Sequence, residues 1–305
     1  MNIDGARADA GPRTRLVGVI GSPIAHSLSP LLHNAAFAAL GIADTWRSLA
    51  FEVPPGQAAD ALAAMRRADI SGLSVTMPHK ADVAALVDEC TDVARRLDAV
   101  NCIVNRDGGL GLLGTNTDGQ GFVASLARGA SFTPDGKRCL VIGAGGAARA
   151  VVLALAEAGA SEVAVFNRTP GRAATAAALA GTAGSVVGAA DGALAEAVQA
   201  ADLVVNATPV GMAGAGADPG TGTGAAGTWP LDPSLLHAGQ VAADLIYAPR
   251  PTPWLVAAGA AGATGVDGLG MLVHQAAAQL VLWTGMDAPV EAMWQAAEAV
   301  DPPTA

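Results

Sequence analysis

The chain has 305 residues, 51% of them hydrophobic and 14% charged, and a formal net charge of −10. At about 150 residues per domain this suggests two domains, with enough apolar content for a large core. The negative balance argues against nucleic acid and anionic membrane surfaces as partners, which call for basic patches. No apolar run reaches the roughly 18 unbroken residues of a spanning helix. Cys90, Cys102 and Cys139 are odd in number and widely spaced, which fits neither a disulfide framework nor a zinc site and points to a reducing cytoplasm. The five histidines (His26, His33, His79, His237 and His274) lack metal-ligand spacing, so no metal is expected.

Residues 1–13 lack a secretory signal pattern and read as a disordered tail. "RLVGVI" (15–20) reads as a buried strand and "SPLLHNAAFAALG" as a helix. Ser29 is its expected N-cap, Pro30 its first helical residue and Gly41 its stop. "TWRSLAFEV" is a second strand, "GQAADALAAMRRA" a helix and "ISGLSVTM" a third strand. "PHKADVAALV" is a helix expected to begin at its proline. "AVNCIVNRDGGLGLLGTNTDG" reads as a hairpin with "DGG" at the turn, followed by the helix "GQGFVASLARG".

A second series begins at Cys139 with strand, glycine turn, helix and strand: "CLVIGAGGAARAVVLALAEAGASEVAVFNRT". "ADLVVNATPVGM" and "VAADLIYAP" supply further strands. Alternation of strands and helices in both halves predicts parallel, doubly wound sheets. Residues 213–230 form a Gly/Ala-rich insertion that reads as a flexible surface loop. The helix "MLVHQAAAQLVLWTG" (271–285) has no strand of its own and is free to return to the first domain.

Gly143, Gly145 and Ala148 form G-x-G-x-x-A between a strand and a helix, the context that makes this pattern a dinucleotide site. The turn Gly143, Ala144, Gly145, Gly146 and Ala147 would carry the pyrophosphate on backbone N–H groups at the helix start. An NAD site carries a carboxylate at the end of the next strand. Here Asn167, Arg168 and Thr169 occupy that place, with Arg172 a turn later, which suits a 2′-phosphate and therefore NADP.

Three polar segments, "SLSP", "VTMPHK" and "NTDG", each follow a strand and open a helix, at the edge where open α/β sheets bind ligands. Ser27 and Ser29 offer hydroxyls to a substrate carboxylate. Ser29 divides its hydroxyl between that and the cap, whereas Ser27 has no capping duty in this reading. Thr76, Lys80, Asn101, Asp118 and Gln275 complete a polar cavity, with Lys80 and Asp118 as the acid/base pair. Lys80 and Lys137 are the only two lysines against fifteen arginines. A residue kept as lysine under such a bias is more often needed for its exchangeable proton. For Asp118 a plain helix cap is the alternative. No G-x-S-x-G elbow supports a hydrolase.

The chain resembles the shikimate dehydrogenase family over residues 16–290. The motifs are "GSPIAHSLSPLLHN", "GLSVTMPHK", "AVNCIV", "GTNTDGQG", "GAGGAARA", "NRTPGR", "NATPVGM", "DLIYAPRPTPWL" and "DGLGMLVHQA". The resemblance implies NADPH-dependent reduction of 3-dehydroshikimate to shikimate, in aromatic amino-acid biosynthesis. It implies an N-terminal α/β substrate-binding domain (14–118 with 268–305) and a Rossmann-type NADP-binding domain (119–267), with a C-terminal helix returning to the first. Ser27 and Ser29 would bind the carboxylate, with Tyr247 beside it. Thr76, Asn101, Asp118 and Gln275 would take the ring hydroxyls, while Lys80 and Asp118 form the catalytic pair. Thr208, Gly268 and Met271 would join the NADP(H) site. Ser74 and Pro209 depart from the family, which mostly has Asn at the first and often Ser at the second. The expected protein is a cytoplasmic monomer or homodimer acting on a small molecule. The alternatives are quinate or NAD usage, an aminoshikimate dehydrogenase, and a non-catalytic nucleotide sensor, which would be expected to lose Lys80 or Asp118.

Overall fold

The computed structural model describes Ile3, Gly5 and residues 14–106, 111–188, 190–212 and 229–300. Most of the expected tail, the "DGG" turn and most of the 213–230 insertion lie outside these residues; the disordered-tail reading is corrected at Ile3, which is buried in the first unit's core. The described chain divides into two compact units: Met1–Thr117 with Gln275–Val300, and Asp118–His274. Both are α/β, as the alternation of elements predicts. Among the described residues no helix is long and apolar enough to cross a membrane.

In the first unit, β1 (Arg15–Gly21), β2 (Trp46–Glu52), β3 (Gly72–Val75), β4 (Glu89–Cys90), β5 (Cys102–Asn105) and β6 (Leu112–Thr115) form one sheet. Its order is β2-β1-β3-β5-β6-β4. The alternation predicts parallel strands, which holds for the first three, and the hairpin read over 99–119 is borne out by β5 and β6. β1, β2 and β3 are parallel, but β5 is antiparallel to both β3 and β6. A connection as short as 106–111 joins only antiparallel neighbours. β6 therefore runs in the same sense as β1 and β3. The carboxyl ends of β1, β3 and β6 and the amino end of β5 then share one edge.

Gln275–Val300 completes this unit. Trp283 donates through Nε1 to the Ile103 carbonyl (3.0 Å) and lies against Gly72, where a Cβ would come within 2.1 Å of the indole nitrogen. His33 meets Trp283 edge-on at 4.8 Å, and burial pushes its pKa down to about 4.

In the second unit, β7 (Arg138–Ile142), β8 (Glu162–Phe166), β9 (Gly184–Val186), β10 (Leu203–Asn206), β11 (Val241–Asp244) and β12 (Thr264–Val266) are all parallel, ordered β12-β11-β10-β7-β8-β9. This is the doubly wound dinucleotide-binding order, whose switch point falls between β7 and β10. Alternate residues of β7 face two separate cores: Cys139 and Val141 on one side, Leu140 and Ile142 on the other.

Candidate active site

In the first unit the predicted residues gather at the edge where β1, β3 and β6 end. Ser29 opens the helix Ser29–Ala39 but is not its N-cap. Leu28 holds that place without a side-chain bond, and the Ser27 hydroxyl accepts from the Ser29 N–H (3.3 Å). The expected division of labour is thereby corrected: the helix begins one residue earlier, so the backbone duty falls to Ser27. The start of this loop is tied down by Glu52 at the end of β2. Its carboxylate accepts from Ser22 Oγ (2.6 Å) and the Ile24 N–H (2.9 Å), and these bonds lower its pKa.

Thr76 follows β3, and its N–H donates to the Ile20 carbonyl (2.9 Å). Lys80 is the first residue of the helix Lys80–Leu86, with His79 as N-cap, so Pro78 precedes the helix instead of starting it. The His79 side chain explains the late start: it is fully buried, its Nε2 lies 2.7 Å from the Val53 carbonyl, and it holds the turn in place. Ser74 is buried inside β3 opposite Cys102.

Asn101, Thr117 and Gln275 form one buried network. Asn101 Oδ1 accepts from the Thr117 N–H (2.8 Å), and its Nδ2 donates to Thr117 Oγ1 (3.1 Å) and Gln275 Oε1 (3.5 Å). Thr117 Oγ1 also donates to the Gln275 carbonyl (3.2 Å). Asn101 reaches this edge only because β5 runs against its neighbours.

Asp118, also buried, is the first residue of the second unit and of the helix Asp118–Ala130. In that unit the Gly143 turn follows β7 with φ +114°. A Cβ there would lie 2.8 Å from the Ala207 carbonyl, so glycine alone allows the ends of β7 and β10 to approach. The residues fit a dinucleotide pyrophosphate. The helix Gly146–Glu157 has no side-chain cap and no acidic residue in its first turn, and nothing lies within 4 Å of a Cβ built on Gly145 or Gly146. Its first N–H groups and dipole are thus available to an anion.

At the end of β8, Asn167 Nδ2 donates to the Thr169 carbonyl (3.1 Å), and Arg168 and Arg172 are exposed. Glu162 lies at the far end of β8, bound to Arg138 (2.8 Å) and Ser185 (2.9 Å), and does not serve as a ribose acceptor. Thr208 donates to Asn206 Oδ1 (2.7 Å). Gly268 starts the helix Gly268–Thr284 so close to β11 that a Cβ would sit 2.2 Å from the Leu245 carbonyl. Met271 is in the unit's core, and Tyr247 is half-buried, which raises its pKa.

Sequence reasoning missed Glu52, Thr117, Gln279 and Asp244. Asp244 is buried at the end of β11, where burial raises its pKa to about 6 and the Asp267 charge adds to the shift. Bonds from Thr252 Oγ1 (2.8 Å), the Ile246 N–H (3.1 Å) and Asn206 Nδ2 (3.0 Å) oppose it. A folded pKa above the unfolded value means that the native state holds the extra proton between the two. Stability from this group is therefore fullest below about pH 4 and declines as pH rises through about 6, by roughly 3 kcal/mol. Asp244→Asn should abolish that decline. In paired thermal melts the advantage of wild type over the variant should shrink from about pH 4 to pH 7; a constant difference would contradict the assignment.

A doubly wound sheet with an anion-receptive glycine turn, in one chain with a unit that gathers hydroxyls, amides and a lysine at a sheet edge, defines a dinucleotide-dependent dehydrogenase. Residues 19–103 match the shikimate dehydrogenase substrate binding domain, 125–211 the shikimate / quinate 5-dehydrogenase family, and 268–298 the shikimate 5′-dehydrogenase C-terminal domain. The chain belongs to the shikimate dehydrogenase family. It is 45% identical to a shikimate dehydrogenase (NADP(+)) of Moorella thermoacetica, over 92% of this chain and 91% of that one. Its fold is similar to that of shikimate 5-dehydrogenase from Thermus thermophilus in complex with NADP(H) and shikimate. The TM-score is 0.81 at 36% identity, over 93% of this chain and 99% of that one. A quinate dehydrogenase from Corynebacterium glutamicum in complex with NAD is also similar, with TM-score 0.81 at 30% identity, over 94% and 99%.

Proposed function

We propose that this protein catalyses the reversible, NADP(H)-dependent reduction of 3-dehydroshikimate to shikimate in aromatic amino-acid (chorismate) biosynthesis. One observation carries the reading: Ser27, Ser29, Thr76, Lys80, Asn101 and Gln275 all belong to the sheet edge of the first unit, in a chain whose second unit ends β8 in arginine without a carboxylate. The first unit binds substrate and the second binds NADP(H).

Ser27 and Ser29 take the carboxylate at the start of the Ser29–Ala39 helix, where N–H groups add positive potential. Thr76, Asn101 and Gln275 hold the ring hydroxyls. Tyr247 lies at the carboxylate side. Gly143 to Ala147 hold the pyrophosphate, Arg168 and Arg172 the 2′-phosphate, and Asn167, Thr169, Thr208, Gly268 and Met271 line the remainder. Bound NADPH supplies hydride. As the carbonyl oxygen gains negative charge, Lys80 Nζ gives it a proton, and Asp118 holds the lysine and accepts from a substrate hydroxyl. In the oxidative direction Lys80 Nζ takes the proton back. The protein works in the cytoplasm, as a monomer or homodimer, on a small molecule and without nucleic acid.

Initial rates with shikimate and with quinate, each with NADP+ and with NAD+, test the proposal. Shikimate with NADP+ should give the highest kcat/KM by at least about tenfold. Preference for quinate would overturn the substrate, and preference for NAD+ the cofactor.

A further inference from the structure

We propose that Gln279 is a positioning residue that fixes the amide of Gln275 with its N–H end toward the substrate. The site then selects a ring oxygen at that position and rejects an ammonium. The inference rests on the reading above and deepens it.

Gln279 is fully buried, one helical turn after Gln275. Its Nε2 donates to Gln275 Oε1 (2.8 Å) and to the Asn101 carbonyl (3.2 Å). A main-chain carbonyl only accepts, so the Gln279 amide cannot be reversed without setting its oxygen against that of Asn101. A second anchor acts from the other side. The Thr117 N–H only donates, so it fixes Asn101 Oδ1 toward itself and turns Asn101 Nδ2 toward Gln275 Oε1. Two donors, each oriented by the backbone, thus converge on one oxygen. The polarity of Gln275 follows, and the group it can offer a ligand is its N–H.

Gln279 Oε1 has no hydrogen-bond partner among the described residues, although it is buried. Leaving such an atom unpaired is costly, and a residue serving only to pack the helix would do better as Leu or Met. The arrangement makes sense where the orientation of a neighbour matters more than the satisfaction of Gln279 itself.

The test uses full-length Gln279→Met, which keeps length and burial, with Gln279→Glu and Gln275→Ala beside it. Gln279→Met should raise the shikimate KM by about tenfold, with kcat and the NADP+ KM unchanged and Tm equal or higher. Gln279→Glu supplies an acceptor that turns the Gln275 amide round, and it should raise the shikimate KM at least as far. A purely structural role would lower Tm and leave KM in place. If Gln275→Ala raises KM while both Gln279 variants keep the wild-type value, the positioning role is overturned and the site reading survives. If Gln275→Ala leaves KM unaltered, both fall together.

Discussion

Lys80→Ala is expected to lower kcat by at least about a hundredfold, the usual scale for removing a general acid. The shikimate KM should change little, because the hydroxyls and amides around the ring remain. The lysine stands at the first position of a helix, where a positive charge opposes the dipole. Lys80→Arg should fail to restore activity. A guanidinium keeps the charge but does not release its proton at any pH the fold tolerates. Lys137 is the natural control: the only other lysine of the chain, it pairs with Asp202 at 3.4 Å on the surface, and Lys137→Ala should keep wild-type kcat. A kcat unchanged in Lys80→Ala would remove this residue from the mechanism.

The second large effect is expected at the end of β8. The double variant Arg168→Ala, Arg172→Ala should weaken NADP+ by about a hundredfold or more, since each charge-assisted contact to a phosphate contributes about 1.5–3 kcal/mol. NAD+ has no 2′-phosphate, and its KM should stay near the wild-type value. The wild-type KM for NADP+ should also rise with salt, and the variant should lose that dependence, because exposed charges are screened. Equal loss for the two cofactors would mean that the arginines shape the turn instead of reading the phosphate.

Much of this was legible in the sequence because some positions admit one residue type for backbone reasons. The Gly143 turn is the clearest case: positive φ and the approach of Ala207 leave no alternative, so glycine marks both fold and site. The arginines after β8 were legible for the opposite reason, the absence of a carboxylate. Strand direction was legible only in the hairpin of β5 and β6, and the antiparallel pairing of β5 with β3 was not. The alternation in "NCIVN" is the same whichever way β5 runs, and only the short connection to β6 reverses it. β4, β9 and β12 span two or three residues each and offer no period to detect. Ser27 and Ser29 were found, but a shift of one residue in the helix start exchanged their backbone roles. Gln279 was missed because a second glutamine, one turn after Gln275 in an apolar helix, carries no motif of its own. Its importance depends on Asn101, 178 positions earlier in the chain.

The indole of Trp283 seated on Gly72 has a consequence for how the protein is made. On the ribosome the second unit, Asp118–His274, emerges as one uninterrupted stretch and can fold as soon as His274 is clear. The first unit must wait longer, because Gln275 and Trp283, which complete it, are translated after the whole of Asp118–His274. The first unit is begun before the second and finished after it, and Gln275 arrives on the same helix that closes it.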